Sequence, residues 1–215
     1  TGVAASAASS KTKMTTEKLE PTQIYKLRIT LENIEPPIFR TVVVPSTITL
    51  RQLHELIQGA FGWLDCHLHA FRDQEGITYT SAQEGIFAMD MEEEDVDDAA
   101  IELDFVLQAK GDRVTYEYDF GDGWEHEIVV LEIGPPKIKG LYPAVIDGAR
   151  NCPPEDCGGP FGYGDLMEIV RRKRHGIELE SEEEERLEWL GADYDAEAFD
   201  LYEANGRMAS FSKLS

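Results

Sequence analysis

Cysteine is scarce in this chain, three in 215 residues. Cys66, Cys152 and Cys157 are too few for a disulfide framework and are typical of a reducing compartment. Long apolar runs are missing as well. No stretch approaches the roughly 18 residues that cross a bilayer, and the first residues lack the charged-then-apolar order of a secretory leader. A soluble cytoplasmic protein with no membrane partner is the expectation. Bases are also few, 20 Lys and Arg against 42 Asp and Glu, for a formal net charge of -22. That argues against a polyanion, since binding to phosphates is driven by Lys and Arg. The acids are unevenly spread: residues 84–104 hold ten and no base, and residues 178–203 hold twelve against Arg186 alone. Both segments are expected to be solvated, to keep the chain soluble and to repel nucleic acid locally, while the rest is near neutral.

With 42% hydrophobic residues, the chain can bury a sizeable core and is expected to form a single domain over residues 22–208. Residues 1–21 read as a disordered tail or expression remnant, with Met14 the native start, and residues 209–215 as a short tail. Period-two alternation predicts strands at 24–31 and 38–44, separated by Glu35-Pro36-Pro37. Thr49 then caps a helix in which Leu50, Leu53, Leu56, Ile57, Ala60 and Phe61 recur at helical spacing until Gly62 stops it. Short strands follow at 67–71 and 77–80, then the acidic insertion at 84–98 and a short helix at 101–108. A hairpin pairs 114–120 with 127–133 around Gly121, Asp122 and Gly123. Residues 135–164 read as a long irregular segment, too long to be a mere connection. Three helices close the chain: 165–174, 181–190 with Ser181 as N-cap, and 196–208. Arg171 to Arg174 sit at the end of the first, where they complement its dipole. The fold class is α+β: a β-grasp-like antiparallel or mixed sheet with one packed central helix and a C-terminal helical extension.

Three places carry candidate chemistry. His67 and His69 stand two apart on a predicted strand, so both would face the same way and could share an ion, or else flank a buried Leu68 as two solvated rings. The hairpin YEYDFGDGWEHEI offers Tyr118, Asp119, Asp122, Trp124, Glu125 and His126, groups that can ligate, donate or stack beside a rigid bend. The alternative there is plain turn chemistry, with Trp124 packed on the sheet. The loop NCPPEDCGGPFGY holds Cys152 and Cys157 with Glu155 and Asp156 between them. The two sulfurs, together with two of His67, His69 and His126, would complete a tetrahedral Cys2His2 shell for zinc, or else are two buried thiols without a metal.

Taken together, YKLRITLENIEPPIFR, Trp63 with HLHAF, YEYDFGDGWEHEI and CPPEDCGGPFGY resemble the plasmid pRiA4b ORF-3-like family, over about residues 22–201. The acidic stretch resembles a variable insertion, and Ala70 stands where an acidic residue is common. The resemblance supplies no biochemical activity. Some members carry a transposon-resolvase label, but a serine recombinase needs a nucleophilic Ser among clustered arginines and a basic recognition element. Arg28, Arg40, Arg51 and Arg72 are scattered and no such element is visible, so recombination is rejected. The expected function is an intracellular binding or adaptor module associated with mobile elements, taking a protein, peptide or small ligand. The alternative is a metal-dependent hydrolase built on the His/Asp/Cys constellation.

Overall fold

Along β1 (Ile24–Leu31), Tyr25, Leu27, Ile29 and Leu31 are all buried while the residues between them are only half so. In β2 (Ile38–Pro45), Ile38, Val42 and Val44 take the same face. The two pair antiparallel, Leu31 opposite Ile38. The computed structural model describes residues 23–81, 96–137 and 142–211. The expected tail at 1–21, most of the acidic insertion and residues 212–215 lie outside these.

The strands are completed by β3 (His69–Arg72), β4 (Thr78–Thr80), β5 (Val96–Asp97), β6 (Arg113–Tyr118), β7 (Trp124–Gly134) and β8 (Ala144–Ala149). They form one eight-stranded mixed sheet in the order β5-β4-β3-β6-β7-β1-β2-β8, wider than the expected β-grasp-like unit. Neighbours are antiparallel except β4 and β5. The class is α+β, with α1 (Leu50–Phe61), α2 (Leu103–Val106), α3 (Gly159–Arg174), α4 (Ser181–Leu190) and α5 (Leu201–Phe211). None of these helices is long and apolar enough to cross a membrane.

Helix α1 begins as expected: Thr49 Oγ1 accepts from Gln52 N, and the Gln52 side chain accepts from Thr49 N. It ends at Gly62 in the left-handed region, φ 98°. Its buried face carries two polar residues, His54 and Gln58, among the aliphatics. Gly59 lets α5 cross closely, since a Cβ there would lie 2.5 Å from the Met208 Cα.

Four expectations are corrected. The segment 135–164 holds a strand, β8, masked in the sequence by its Gly and Pro neighbours. Helix α3 starts at Gly159 rather than at Asp165, with Pro160 in the first turn, where its missing N–H costs nothing. Glu180, not Ser181, caps α4, and its N–H is answered by Glu183 Oε2 at 2.9 Å. Helix α5 starts at Leu201 because the Asp200 carboxylate takes the N–H groups of Tyr202 and Glu203 at 2.7 and 2.9 Å; it runs on to Phe211, into the expected tail.

Helix α5 also serves the outer strand. Asn205 Oδ1 accepts from Val145 N at 3.0 Å and its Nδ2 donates to Val145 O at 2.9 Å. Gly148 lies against the outer end of the Phe199 ring, where a Cβ would come within 2.5 Å of Cζ.

Candidate metal centre

Three loops converge at one end of the sheet. The first leaves α1 at Gly62 and carries Trp63 to His67 towards β3. The second is the five-residue bend 119–123 between β6 and β7, whose last pair is Tyr118 with Trp124. The third, residues 150–158, leads from β8 into α3. Asp122 joins the last two, since its Oδ2 accepts from Gly158 N at 3.0 Å. Gly159 permits that join: at φ 67°, a Cβ on it would sit 2.2 Å from the Asp122 carbonyl oxygen.

His67 is the hub. Its Nε2 lies 3.2 Å from Asp156 Oδ1, 3.6 Å from Asp119 Oδ2 and 3.8 Å from Glu155 Oε2. Two of the carboxylates divide their oxygens between structure and site. Asp119, held at φ 54°, accepts from Gly121 N and Asp122 N through Oδ1 and turns Oδ2 to His67. Glu155 takes Leu64 N at 2.7 Å and Tyr118 Oη at 3.1 Å on Oε1, leaving Oε2 for His67. His67 Nε2 and Glu155 Oε2 are both buried and have no hydrogen-bond partner. Cys66 Sγ joins His67 and Glu155 in a second group of potential ligands, and Asp119 and Asp156 complete the first. With metal–ligand bonds of about 2.1 Å, donors around a tetrahedral ion stand about 3.4 Å apart. The spacings at His67 straddle that value; those to Asp119 and Glu155 are too long for hydrogen bonds and suit an ion between the groups.

Two more orphaned donors lie close by. Trp63 and Trp124 are buried with unpaired indole N–H groups, their rings 5.5 Å apart, and Trp63 is 5.4 Å from Tyr118. Buried unsatisfied polar atoms are rare in native folds, so their gathering around Tyr118 marks this end of the sheet. Burial pushes the Tyr118 phenol well up, and it remains a donor. Burial also raises the Cys66 thiol, as do the charges of Glu155 and Asp156, against its hydrogen bond with Tyr118. Asp65, Cys66, His67, Leu68, Asp119, Phe120 and Gly121 line an open cleft of about 530 Å³ over the cluster.

The expected residues are thus partly assembled. Tyr118, Asp119, Glu155 and Asp156 meet at His67, with Trp124 beneath them and Asp122 as the clasp. His67 and His69 do not share a face, because β3 begins only at His69. His69 turns into the core and holds Asp98 at 2.7 Å, while His67 stays at the surface loop. His126 is buried against Phe61, its Nδ1 donating to Trp124 O at 3.1 Å. Cys152 and Cys157 are free, buried thiols within the core cluster. Burial lifts Cys152 well above its ordinary range and Cys157 to about 12. Among the described residues, none of His69, His126, Cys152 and Cys157 joins a potential ligand group. A closed Cys2His2 shell is therefore not what this fold brings together.

A second polar assembly beside the cleft escaped the sequence reading. Asp65 Oδ1 accepts from His54 Nε2 at 2.8 Å; His54 Nδ1 meets Tyr116 Oη at 2.9 Å; Gln58 Nε2 donates to Tyr116 Oη at 2.9 Å; and Gln58 Oε1 accepts from Asp65 N at 2.8 Å. His54 stacks on His69 at 3.5 Å, and Asp98 behind His69 is clamped by Arg51. Asp98, from the acidic run, is wholly buried rather than solvated. The Asp65–His54–Tyr116–Gln58 assembly was hidden because His54 and Gln58 occupy positions four apart on a face that otherwise reads as apolar.

Burial depresses both His54 and His126 to about 4, for His54 against the pull of Asp65. A histidine ordinarily titrates near 6.5. Between those values the unfolded chain binds more protons than the folded one, so stability present above about pH 6.5 is lost as pH falls towards 4. The loss by pH 5 is about 2 kcal/mol for each ring. Asp65 and Asp98 are lowered in the fold because their histidine and arginine partners outweigh burial; their share is lost only below the ordinary carboxylate range. Urea unfolding at pH 7 and pH 5 checks this, and an unchanged midpoint would refute it.

The chain matches the family described as Plasmid pRiA4b ORF-3-like protein over residues 23–203. It is 37% identical over 185 residues to the uncharacterized protein y4hQ of Sinorhizobium fredii, covering 85% of this chain and 89% of that one. It is also similar to a crystal structure of a protein of unknown function, MM3350 from Methanosarcina mazei Go1. That likeness has a TM-score of 0.71 at 30% identity and covers 85% of this chain and 98% of the other. The chain belongs to the plasmid pRiA4b ORF-3-like family.

Proposed function

We propose that this member of the plasmid pRiA4b ORF-3-like family is a metal-dependent binding module. A single divalent first-row cation, zinc or a close relative, would be held at His67, either with Asp119 and Asp156 or with Glu155 and Cys66, the two sets of potential ligands that share its imidazole. The observation that carries this is the pair of buried, unpartnered atoms, His67 Nε2 and Glu155 Oε2, facing each other at 3.8 Å among further oxygen donors. A mixed imidazole and carboxylate set favours borderline ions such as Zn²⁺, Fe²⁺ or Mn²⁺. The cleft leaves one side open, so an oxygen or nitrogen of a ligand can complete the coordination. The family description names a plasmid reading frame, which supports placing the module among proteins carried by mobile elements.

The open side also favours a second reading, hydrolysis, in which the ion lowers the pKa of a bound water. Elemental analysis of natively purified protein tests the metal centre. About one equivalent of a first-row divalent ion is expected, removed by a chelator and restored by zinc. A metal-free protein that takes up no zinc overturns it. Chelator-sensitive turnover of ester or amide substrates would select the hydrolytic reading over the binding one.

A further inference from the structure

Asp65 lines the cleft beside His67 and Asp119 but joins neither group of potential metal ligands. Its carboxylate is nevertheless held with unusual care. The circuit Asp65–Gln58–Tyr116–His54 is closed and has one polarity. Gln58 uses an N–H on Tyr116 Oη, which directs the phenol hydrogen to His54 Nδ1 and leaves His54 to donate from Nε2 to Asp65 Oδ1. Asp65 also sits in the left-handed region, φ 54°, a conformation that costs a non-glycine residue energy. The result is a carboxylate that is 41% exposed, fixed from behind, and turned to a cleft.

The charge of that cleft selects the ligand. Among the described residues no Lys or Arg lines it, whereas Asp65 and Asp119 do, and Glu155 and Asp156 lie beside it at His67, so one divalent ion offsets only half of these four carboxylates. An anionic ligand is repelled and a cationic one is drawn in. Leu68 and the half-exposed Phe120 add an apolar wall to the same cleft.

We infer that Asp65 receives the ammonium group of a peptide amino terminus, whose first carbonyl oxygen reaches the metal centre and whose first side chain rests on Phe120. The inference rests on the metal reading for the carbonyl contact and on Asp65 alone for the ammonium contact.

The test uses the zinc-loaded full chain and two tripeptides, Leu-Gly-Gly and its N-acetylated form, titrated by calorimetry and by NMR of the His54 imidazole. The free amino terminus is expected to bind at least about tenfold more tightly than the acetylated one and to shift the His54 signals. Asp65→Asn keeps an oxygen for His54 Nε2–H and tolerates the positive φ. It should bring the two affinities within about twofold without changing zinc stoichiometry. Equal binding of both peptides to the wild type, discrimination that survives Asp65→Asn, or no binding of either peptide overturns the inference. If the protein takes up no zinc, the metal reading fails by itself. The same peptide pair on the metal-free chain then decides for or against Asp65 by the same amine-dependent difference.

Discussion

His67→Ala is expected to lower affinity for zinc by more than about 100-fold, beyond what losing an outer-shell partner of a metal ligand typically costs. The reason is geometric. Asp119 Oδ2, Glu155 Oε2 and Asp156 Oδ1 each lie within 3.8 Å of His67 Nε2, and the imidazole is the ligand that both groups share. Metal that binds the folded state alone stabilises it by about 2.7 kcal/mol at a hundred times the dissociation constant. The rise in melting temperature on adding zinc should therefore be present in the wild type and absent in the variant. Cys157→Ser provides the contrast. Cys157 packs in the core and joins no ligand group among the described residues, so that variant should keep its equivalent of metal even where stability falls. Zinc retained by His67→Ala, or lost by Cys157→Ser, would mean the ion sits elsewhere.

Gly159→Ala is expected to destabilise the fold by about 3 kcal/mol or more and to take the metal with it. The added Cβ would lie 2.2 Å from the Asp122 carbonyl oxygen, a backbone atom that cannot swing aside, at a φ of 67° that already penalises any side chain. Relief requires the loop of residues 150–158 to part from the hairpin bend, which withdraws Glu155 and Asp156 from Asp119. Gly164→Ala, five residues along the same helix, meets nothing within 4 Å. It should be neutral or stabilising by about 0.5–1 kcal/mol, as Gly to Ala in a helix usually is. Denaturant unfolding with zinc titration of both variants separates the two cases, and similar behaviour of the pair would show that the contact with Asp122 carries no load.

The gathering of the site was legible where local chemistry announced it. Two glycines and two carboxylates in the 119–123 bend, and a Cys-Pro-Pro-Glu-Asp-Cys loop, do come together as the motifs suggested. Two readings were open for the sulfurs of Cys152 and Cys157, ligands or buried thiols, and among the described residues they join no group of potential ligands. Glu155 and Asp156, lying between the cysteines, face the site, and the flanking thiols point to the core. His67 and His69 parted because the strand begins two residues later than its apolar pattern implied, which turned one ring outward and one inward. Asp65, His54 and Gln58 could not be found from periodicity, since a polar residue on a buried helical face shows its purpose only once its partner, here Tyr116 on another strand, is in place. Asp98 was lost in the charge run for a related reason: burial of an acid depends on a His69 and an Arg51 that lie far away in sequence.

The amide of Asn205, set against both the N–H and the carbonyl of Val145, imitates one rung of a ninth strand. An outer strand with free backbone groups is a template on which a second copy of a protein can continue the sheet. Here that rung is already answered from within the chain, and at Gly148 the Phe199 ring covers the backbone beside it. At the opposite margin lies β5, in which the described residues are two, Val96 and Asp97. Along β8, therefore, the sheet gives a second copy less purchase for edge-to-edge aggregation than a bare strand would.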